Sequence, residues 1–375
     1  MSSDFGKNIH YTVFGQSHGE AIGIGGDGLP AGDYINVYAV KEFMARRKPG
    51  QSNGFTTSRK EKDEFQVLSG VVNDTTCGAP LCAVIPNSDQ HSQDYEELKN
   101  IFRPSHADFT AHLKYHGFED LRGGGHFSGR LTAPLCFAGG IAKYILEKRG
   151  IVVGAHIESI GQIQDRPFDP VLVTADDLKD PGRYPFPTLN FGVGETMQAQ
   201  MELIAKKGDS IGGVIEAGAI GIPGGIGDPM FDGIENVLAK NLFGIPGVKG
   251  VEFGEGFRSA AMLGSQNNDA FCLKDGKITT KTNHAGGILG GITTGMPLIL
   301  RVAIKPTPSI ALEQETVDHE KMEETTITVP GRHDSCIVPR AVPVVEAVVA
   351  MTLLDLLAKE KELFSESNKN PKTAD

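Results

Sequence analysis

Apolar and polar positions along this chain follow two different periods. Short apolar runs rich in β-branched residues, at 9–14, 65–72, 80–85, 151–160, 213–222, 248–253 and 298–304, are bounded by turn residues and predict strands. Between them the period lengthens. Val37, Val40, Phe43 and Met44 share one helical face ahead of Arg46-Arg47-Lys48, and Met197, Met201 and Ile204 share another ahead of the Lys206-Lys207-Gly208 stop. Segments 128–148 and 341–359 are apolar on most faces, which predicts helices inside the protein. Pro134 and Pro343 are placed early in each, where a proline costs least. Buried helices between strand-rich halves predict an α+β sandwich of sheets around helices. One continuous domain over 1–364 is expected, followed by a disordered tail at 365–375.

Composition narrows the class. The chain has 375 residues, 39% hydrophobic and 22% charged, enough for a large core. A net charge of -11 argues against a nucleic-acid partner, so the basic residues that matter act locally. Five cysteines (Cys77, Cys82, Cys136, Cys272 and Cys336) form no CxxC pair and are odd in number, which points to a reducing cytoplasm rather than a disulfide framework. The first ten residues lack the apolar core of a signal peptide, and no apolar run reaches the roughly 18–20 residues of a membrane helix. A cytoplasmic protein with no membrane partner is expected.

Three polar strings carry the chemistry: Gly15-Gln16-Ser17-His18-Gly19, Arg103-Pro104-Ser105-His106-Ala107-Asp108 and Gly331-Arg332-His333-Asp334. Each joins an imidazole to a hydroxyl, carboxylate or guanidinium, and imidazole exchanges protons near neutral pH. The first string matches the G-x-S-x-G nucleophile elbow, so a serine hydrolase using Ser17 with His106 and Asp334 is the competing reading. Residues 21–32 are too rich in Gly and Pro to supply the helix that elbow needs. Gly23 to Gly28 satisfy G-x-G-x-x-G, but Leu29-Pro30 follows where a Rossmann helix would start, and no P-loop motif exists. His112 and His116 have zinc-compatible spacing without the Glu of H-E-x-x-H, and His10, His91, His156 and His319 stand alone, so no metal is expected.

Two further segments suit anions. Arg46-Arg47-Lys48-Pro49-Gly50, followed by Ser52, Thr56, Thr57, Ser58 and Arg59-Lys60, groups cations with hydroxyls. Gly123-Gly124-Gly125-His126-Phe127-Ser128-Gly129-Arg130 offers Ser128 as an ordinary helix cap, or several donors at a helix amino terminus as an anion site. Lys305-Pro306-Thr307-Pro308-Ser309 is a rigid loop with one cation and two hydroxyls.

Taken in order, FGQSHG, RRKPGQSNGFTTSRKE, NSDQHSQDY, RPSHADFTAHLKY, the glycines before Ser128, NHAGGILGGITTGMP, KPTPSI and GRHDSCIVPRAVPVVEA resemble the chorismate synthase family over most of the chain. The resemblance implies a β-α-β sandwich with antiparallel sheets. It implies a carbon–oxygen lyase of the shikimate pathway, which leads to the aromatic amino acids. The reaction is 1,4-elimination of phosphate from 5-enolpyruvylshikimate 3-phosphate to give chorismate. Reduced FMN is required without net redox change; NADPH enters only through a separate flavin reductase, and a homotetramer is implied. Carried over by position, His18 protonates the departing phosphate, and His106 acts near the flavin N1. Asp334, with Ser17 and Ser128 nearby, supports the flavin N5 that takes the substrate proton. Arg47, Lys48, Arg130 and Arg340 surround phosphate and carboxylates. His126, Phe127, Ser128, Gly290, Lys305, Pro306, Thr307, Pro308, Ser309 and Arg332 fall where the family contacts FMN. This chain departs from the family at His126 and Phe127, where Arg and Ser are frequent, and at Pro308, Ser335 and Leu131.

Overall fold

A computed structural model describes residues 3–48, 63–87, 100–120, 122–329 and 334–359. Among them, strands form two five-stranded antiparallel sheets. The first holds β1 (Asp4–Phe5), β2 (His10–Gly15), β3 (Ala21–Asp27), β4 (Gln66–Ser69) and β5 (Leu81–Pro86) in the order β1-β2-β3-β5-β4. The second holds β6 (Val152–Ile160), β7 (Ile163–Gln164), β8 (Gly213–Ile220), β9 (Val248–Phe253) and β10 (Leu298–Ile304) in the order β9-β10-β8-β6-β7. Apolar positions alternate along β5, whose Leu81, Ala83 and Ile85 face the core, as expected for a half-buried strand. β6 is buried along its whole length, because a second layer of chain covers its outer face.

Between the sheets lie α3 (Thr132–Glu147) and α6 (Val338–Leu357), with α1 (Val37–Ala45) packed against α3; α2 (Asp108–Tyr115), α4 (Phe191–Lys206) and α5 (Ile234–Leu242) complete the main helices. α3 packs against β3 and β5 of the first sheet, α6 against β6 and β8 of the second, and the two helices against each other. Their approach is close because Gly139 faces Ala347, where any added Cβ would overlap. Val342, Val345, Val348, Val349, Leu353 and Leu354 of α6 are all buried, which confirms an interior helix.

The structure corrects several local expectations. α6 starts at Val338, so Pro339 holds the first-turn position, and Pro343 lies inside the helix instead of at its start. α3 starts at Thr132, after a separate turn of 3₁₀ helix at Gly129–Leu131. The G-x-G-x-x-G run is strand β3, whose glycines let neighbouring rings close over it: a Cβ on Gly23 would collide with Phe14. His112 and His116 share no helix face, since His116 ends α2 in the left-handed region at φ 56°. His112 instead faces Glu119, Nδ1 to Oε1 3.1 Å, and packs 4.8 Å from the His319 ring. His156 is not isolated but buried, with Nε2 2.9 Å from Glu216 Oε2. No helix among the described residues is long and apolar enough to cross a membrane. The tail at 365–375 lies outside the described residues.

Candidate active site

A cavity of about 770 Å³ opens where the first sheet, the start of α6 and the end of β10 meet. That size is ordinary for a cofactor or small-molecule site. Leu131, Leu135, Ile337, Val344 and Val348 give it an apolar wall, while Arg47, Arg130, Arg340, Lys249 and Lys305 supply cations. His106, His126, Phe127, Ser128, Pro306, Thr307, Pro308, Ser309 and Asp334 line it as well.

The glycine run is what allows the imidazoles to converge. Gly123, Gly124 and Gly125 all have positive φ (62°, 103° and 53°), a conformation other residues rarely adopt. A Cβ on Gly123 would overlap the His18 ring and stand 3.0 Å from Ser17 Oγ. A Cβ on Gly124 would stand 3.3 Å from His106 Cε1 and Nε2 and 3.7 Å from the Ser128 Cβ. Two bare backbone positions therefore bring together side chains from β2's exit, the loop before α2 and the start of the α3 segment. Ser128 caps the 3₁₀ turn by accepting from the Arg130 N–H at 3.2 Å. His126 has both ring nitrogens engaged: Nδ1 donates to the Gly15 carbonyl at 2.8 Å, and Nε2 lies 2.8 Å from Ser3 Oγ.

Ser17 is buried, and its hydroxyl donates to the Arg122 carbonyl at 3.1 Å, with His18 Nδ1 3.1 Å away on the same oxygen. The hydroxyl proton thus points at a carbonyl rather than at the imidazole, the reverse of an activated serine. Neither neighbour is His106, the base that the serine-hydrolase reading pairs with Ser17.

His106 is held from its far side. Its Nδ1 lies 2.6 Å from Asp108 Oδ1, and Asp108 is gripped by Arg103, Nε to Oδ2 2.7 Å and Nη2 to Oδ1 2.8 Å. Burial alone would raise the Asp108 carboxyl, but the hydrogen bonds from Arg103 and His106 and their charge overcome it and hold it well below the usual range. Ser105 takes φ 58° to aim the loop, and Lys305 Nζ donates to its carbonyl at 2.7 Å. Burial, followed by the charge of Lys249, pulls the Lys305 ammonium down.

The opposite wall is a network of cations and carboxylates. Arg47 Nη2 donates to Asp63 Oδ2 at 2.8 Å, Arg130 Nη1 donates to Asp63 Oδ1, and Arg130 Nε donates to Asn87 Oδ1 at 3.0 Å. Burial pushes the Asp63 carboxyl up, yet the charges of Arg47 and Arg130 outweigh it and the net shift is down. Arg340 Nε donates to the Arg47 carbonyl at 3.0 Å and Nη1 to Asp334 Oδ2 at 2.6 Å, while Thr307 Oγ1 donates to the Asp334 carbonyl at 2.7 Å.

The residues singled out from sequence therefore divide. His106, Ser128, Asp334, Arg47, Arg130, Arg340 and the Lys305 to Ser309 loop line one cavity, with Ser17 and His18 immediately behind Gly123. Lys48 is half-buried after α1 and is not on the cavity wall. Gly290 stands at φ 61° in the tight turn joining Ile288–Leu289 to Ile292–Thr293 and lines no part of the cavity. Arg332 and His333 lie outside the described residues, as do 49–62 and 88–99. Sequence reading missed Asp63, Lys240 and Lys249, which stand outside any recognisable string, and gave no role to Asn87, which opens the NSDQHSQDY string. It also gave no role to Arg103 or Asp108, although both flank His106 in the same string.

The residues present fit a flavin: a long apolar wall for a tricycle, and Lys305, Lys249, Thr307 and Ser309 at one end for a phosphate. Comparison with known proteins identifies the family. The model of the chorismate synthase family matches residues 9–358. The chorismate synthase of Thermococcus kodakarensis is 47% identical over 356 residues, covering 95% of this chain and 98% of the relative. That of Korarchaeum cryptofilum is 48% identical over 353 residues, covering 94% and 96%. A crystal structure of a chorismate synthase superposes with a TM-score of 0.75 at 27% identity, covering 97% of both chains. With its sandwich fold, its cation-walled cavity and these relatives, the chain belongs to the chorismate synthase family of lyases.

Proposed function

We propose that this chain eliminates phosphate from 5-enolpyruvylshikimate 3-phosphate to give chorismate, as one catalytic unit over residues 1–364 in a cytoplasmic homotetramer, with FMN reduced by a separate protein. The observation that supports it best is the glycine seam: the His18 ring packs against Gly123 and the His106 ring against Gly124, beside a cavity lined by Arg47, Arg103, Arg130 and Arg340. When bound, reduced FMN supplies electron density that helps the phosphate leave. The Lys305 to Ser309 loop would hold its phosphate, and Leu131, Leu135 and Val344 its ring.

The chain's own groups do the rest. Arg47, Arg130 and Arg340 orient the dianionic phosphate and the carboxylates, and neutralise charge as the C–O bond lengthens. His18 gives the departing phosphate a proton; a positioned acid contributes about 10²–10⁴-fold. Asp334, oriented by Arg340, lines the same cavity, where its carboxylate would support the flavin nitrogen that takes the C6 proton. His106 presents Nε2, the ring atom turned toward Gly124.

Anaerobic mixing of protein, reduced FMN and enolpyruvylshikimate phosphate should yield chorismate absorbance, one phosphate per product, and no turnover with oxidised FMN. His106→Ala and Asp334→Asn should lower turnover about 10²–10⁴-fold while leaving the circular dichroism spectrum unchanged. Turnover without flavin, or full activity in either variant, would refute this assignment.

A further inference from the structure

His106 does not stand alone: Arg103 lines the same cavity beside it, and Asp108 lies one layer deeper. Asp108 is buried, with only 6% of its side chain exposed, and both its oxygens are used. Oδ1 receives His106 Nδ1 at 2.6 Å and Arg103 Nη2 at 2.8 Å; Oδ2 receives Arg103 Nε at 2.7 Å and the Arg103 backbone N–H at 3.2 Å. A carboxylate so placed only accepts, so the proton in the short contact belongs to Nδ1. The ring atom left for chemistry is then Nε2, on the edge turned toward Gly124. Other charge close to the ring comes from Lys305, whose ammonium lies on the Ser105 carbonyl; the glycine seam presents Gly124 and Ser128.

We infer that Asp108 and Arg103 are positioning residues of opposite sign for His106: Asp108 fixes the Nδ1–H tautomer and favours the charged ring, and Arg103 offsets that charge so that Nε2 can both release and regain a proton. This rests on the assignment of His106 to the reaction, and deepens it. No proton leaves the Nδ1 position; the one that moves is lost and replaced at Nε2. The opposed signs matter because a pair that merely braced the loop would respond alike to losing either member.

The test uses the full chain without ligand, with ¹⁵N-labelled imidazoles and the His106 signals identified by their loss in His106→Gln. The unsubstituted protein should show the Nδ1–H form when the ring is neutral. Asp108→Asn should lower the His106 titration midpoint by about one pH unit, and Arg103→Gln should raise it by about as much. An Nε2–H ring in the unsubstituted protein overturns the inference even if Asp108→Asn fails to fold. So does an unmoved midpoint in Arg103→Gln, or a shift of the same sign in both variants. The pH profile of kcat/KM is then read in the same variants. If the ring titrates as stated but the profile ignores it, the fault lies with the role given to His106 in turnover, and the pairing stands.

Discussion

Arg46 and Arg47 are adjacent in sequence, and each joins a cation–carboxylate–cation triad, yet the two triads serve different ends. Arg47 reaches Asp63, shared with Arg130, and all three are buried behind a face that opens on the cavity. Arg46 turns into the helical layer, where it meets Glu346 of α6 at 2.5 Å and 3.1 Å, with Lys143 of α3 on the same carboxylate. Burial opposes the charge of Glu346, but Arg46 and Lys143 overcome it and hold its carboxyl down. Successive residues at a helix end point about 100° apart, so a basic string divides its members between destinations. The composition of the two triads is nearly the same. The first triad faces the cavity of about 770 Å³, whereas Arg46 borders only a recess of about 110 Å³, so we propose the first as a binding surface and the second as a rivet between helices.

The difference can be tested most sharply by removing each arginine. Arg47→Met should cost at least about 100-fold in kcat/KM, because it deletes a guanidinium from the wall and unbalances Asp63. Arg46→Met should leave kcat/KM of the folded enzyme within a few-fold. It should instead lower stability by about 3–5 kcal/mol in urea titrations, since Glu346 loses its bidentate partner. Equal losses of activity in both variants would erase the distinction drawn here.

A smaller effect is expected at the seam between the two imidazoles. Gly123→Ala places a Cβ against His18 at a φ of 62°, so turnover should fall about tenfold or more, and the melting temperature should drop by several degrees. Gly129→Ala, where nothing lies within 4 Å of the added atom, is the matched control and should change little.

The smallest effect is on acid stability, and it concerns both walls. Asp63 and Asp108 are each held below the ordinary carboxylate range near pH 4. A lowered folded-state pKa contributes stability that is fully present above about pH 4 and is lost as pH falls toward the folded value. Urea midpoints should therefore be level above pH 5 and fall steadily below pH 4. Asp108→Asn should flatten part of that slope.

Much of the architecture was readable from local pattern. The strands expected at 248–253 and 298–304 occur as β9 and β10 within the same limits, since turn residues bracket short apolar runs there. The buried character of α3 and α6 followed from apolar residues on nearly every face. Strand β3 escaped notice because its glycines carry no alternating side chains to count. Asp63 and Lys249 were missed because nothing near them in the chain marks them; their partners arrive from other elements. Arg46 was grouped with its basic neighbours because composition does not tell which side of a helix end faces a cavity.

The amino-acid order alone settled the family and most of the elements, because hydrophobic period and short polar strings are local properties. It could not say which strings would meet. Arg46 meets Glu346 across 300 positions, Arg340 donates to the Arg47 carbonyl across 293, and Lys305 reaches Ser105 across 200. Those meetings depend on sheet register, on the close packing of α3 and α6 and on three left-handed glycines. Each is a property of the packed whole, in which a side chain's partner is set by what the fold leaves within about 3 Å of it.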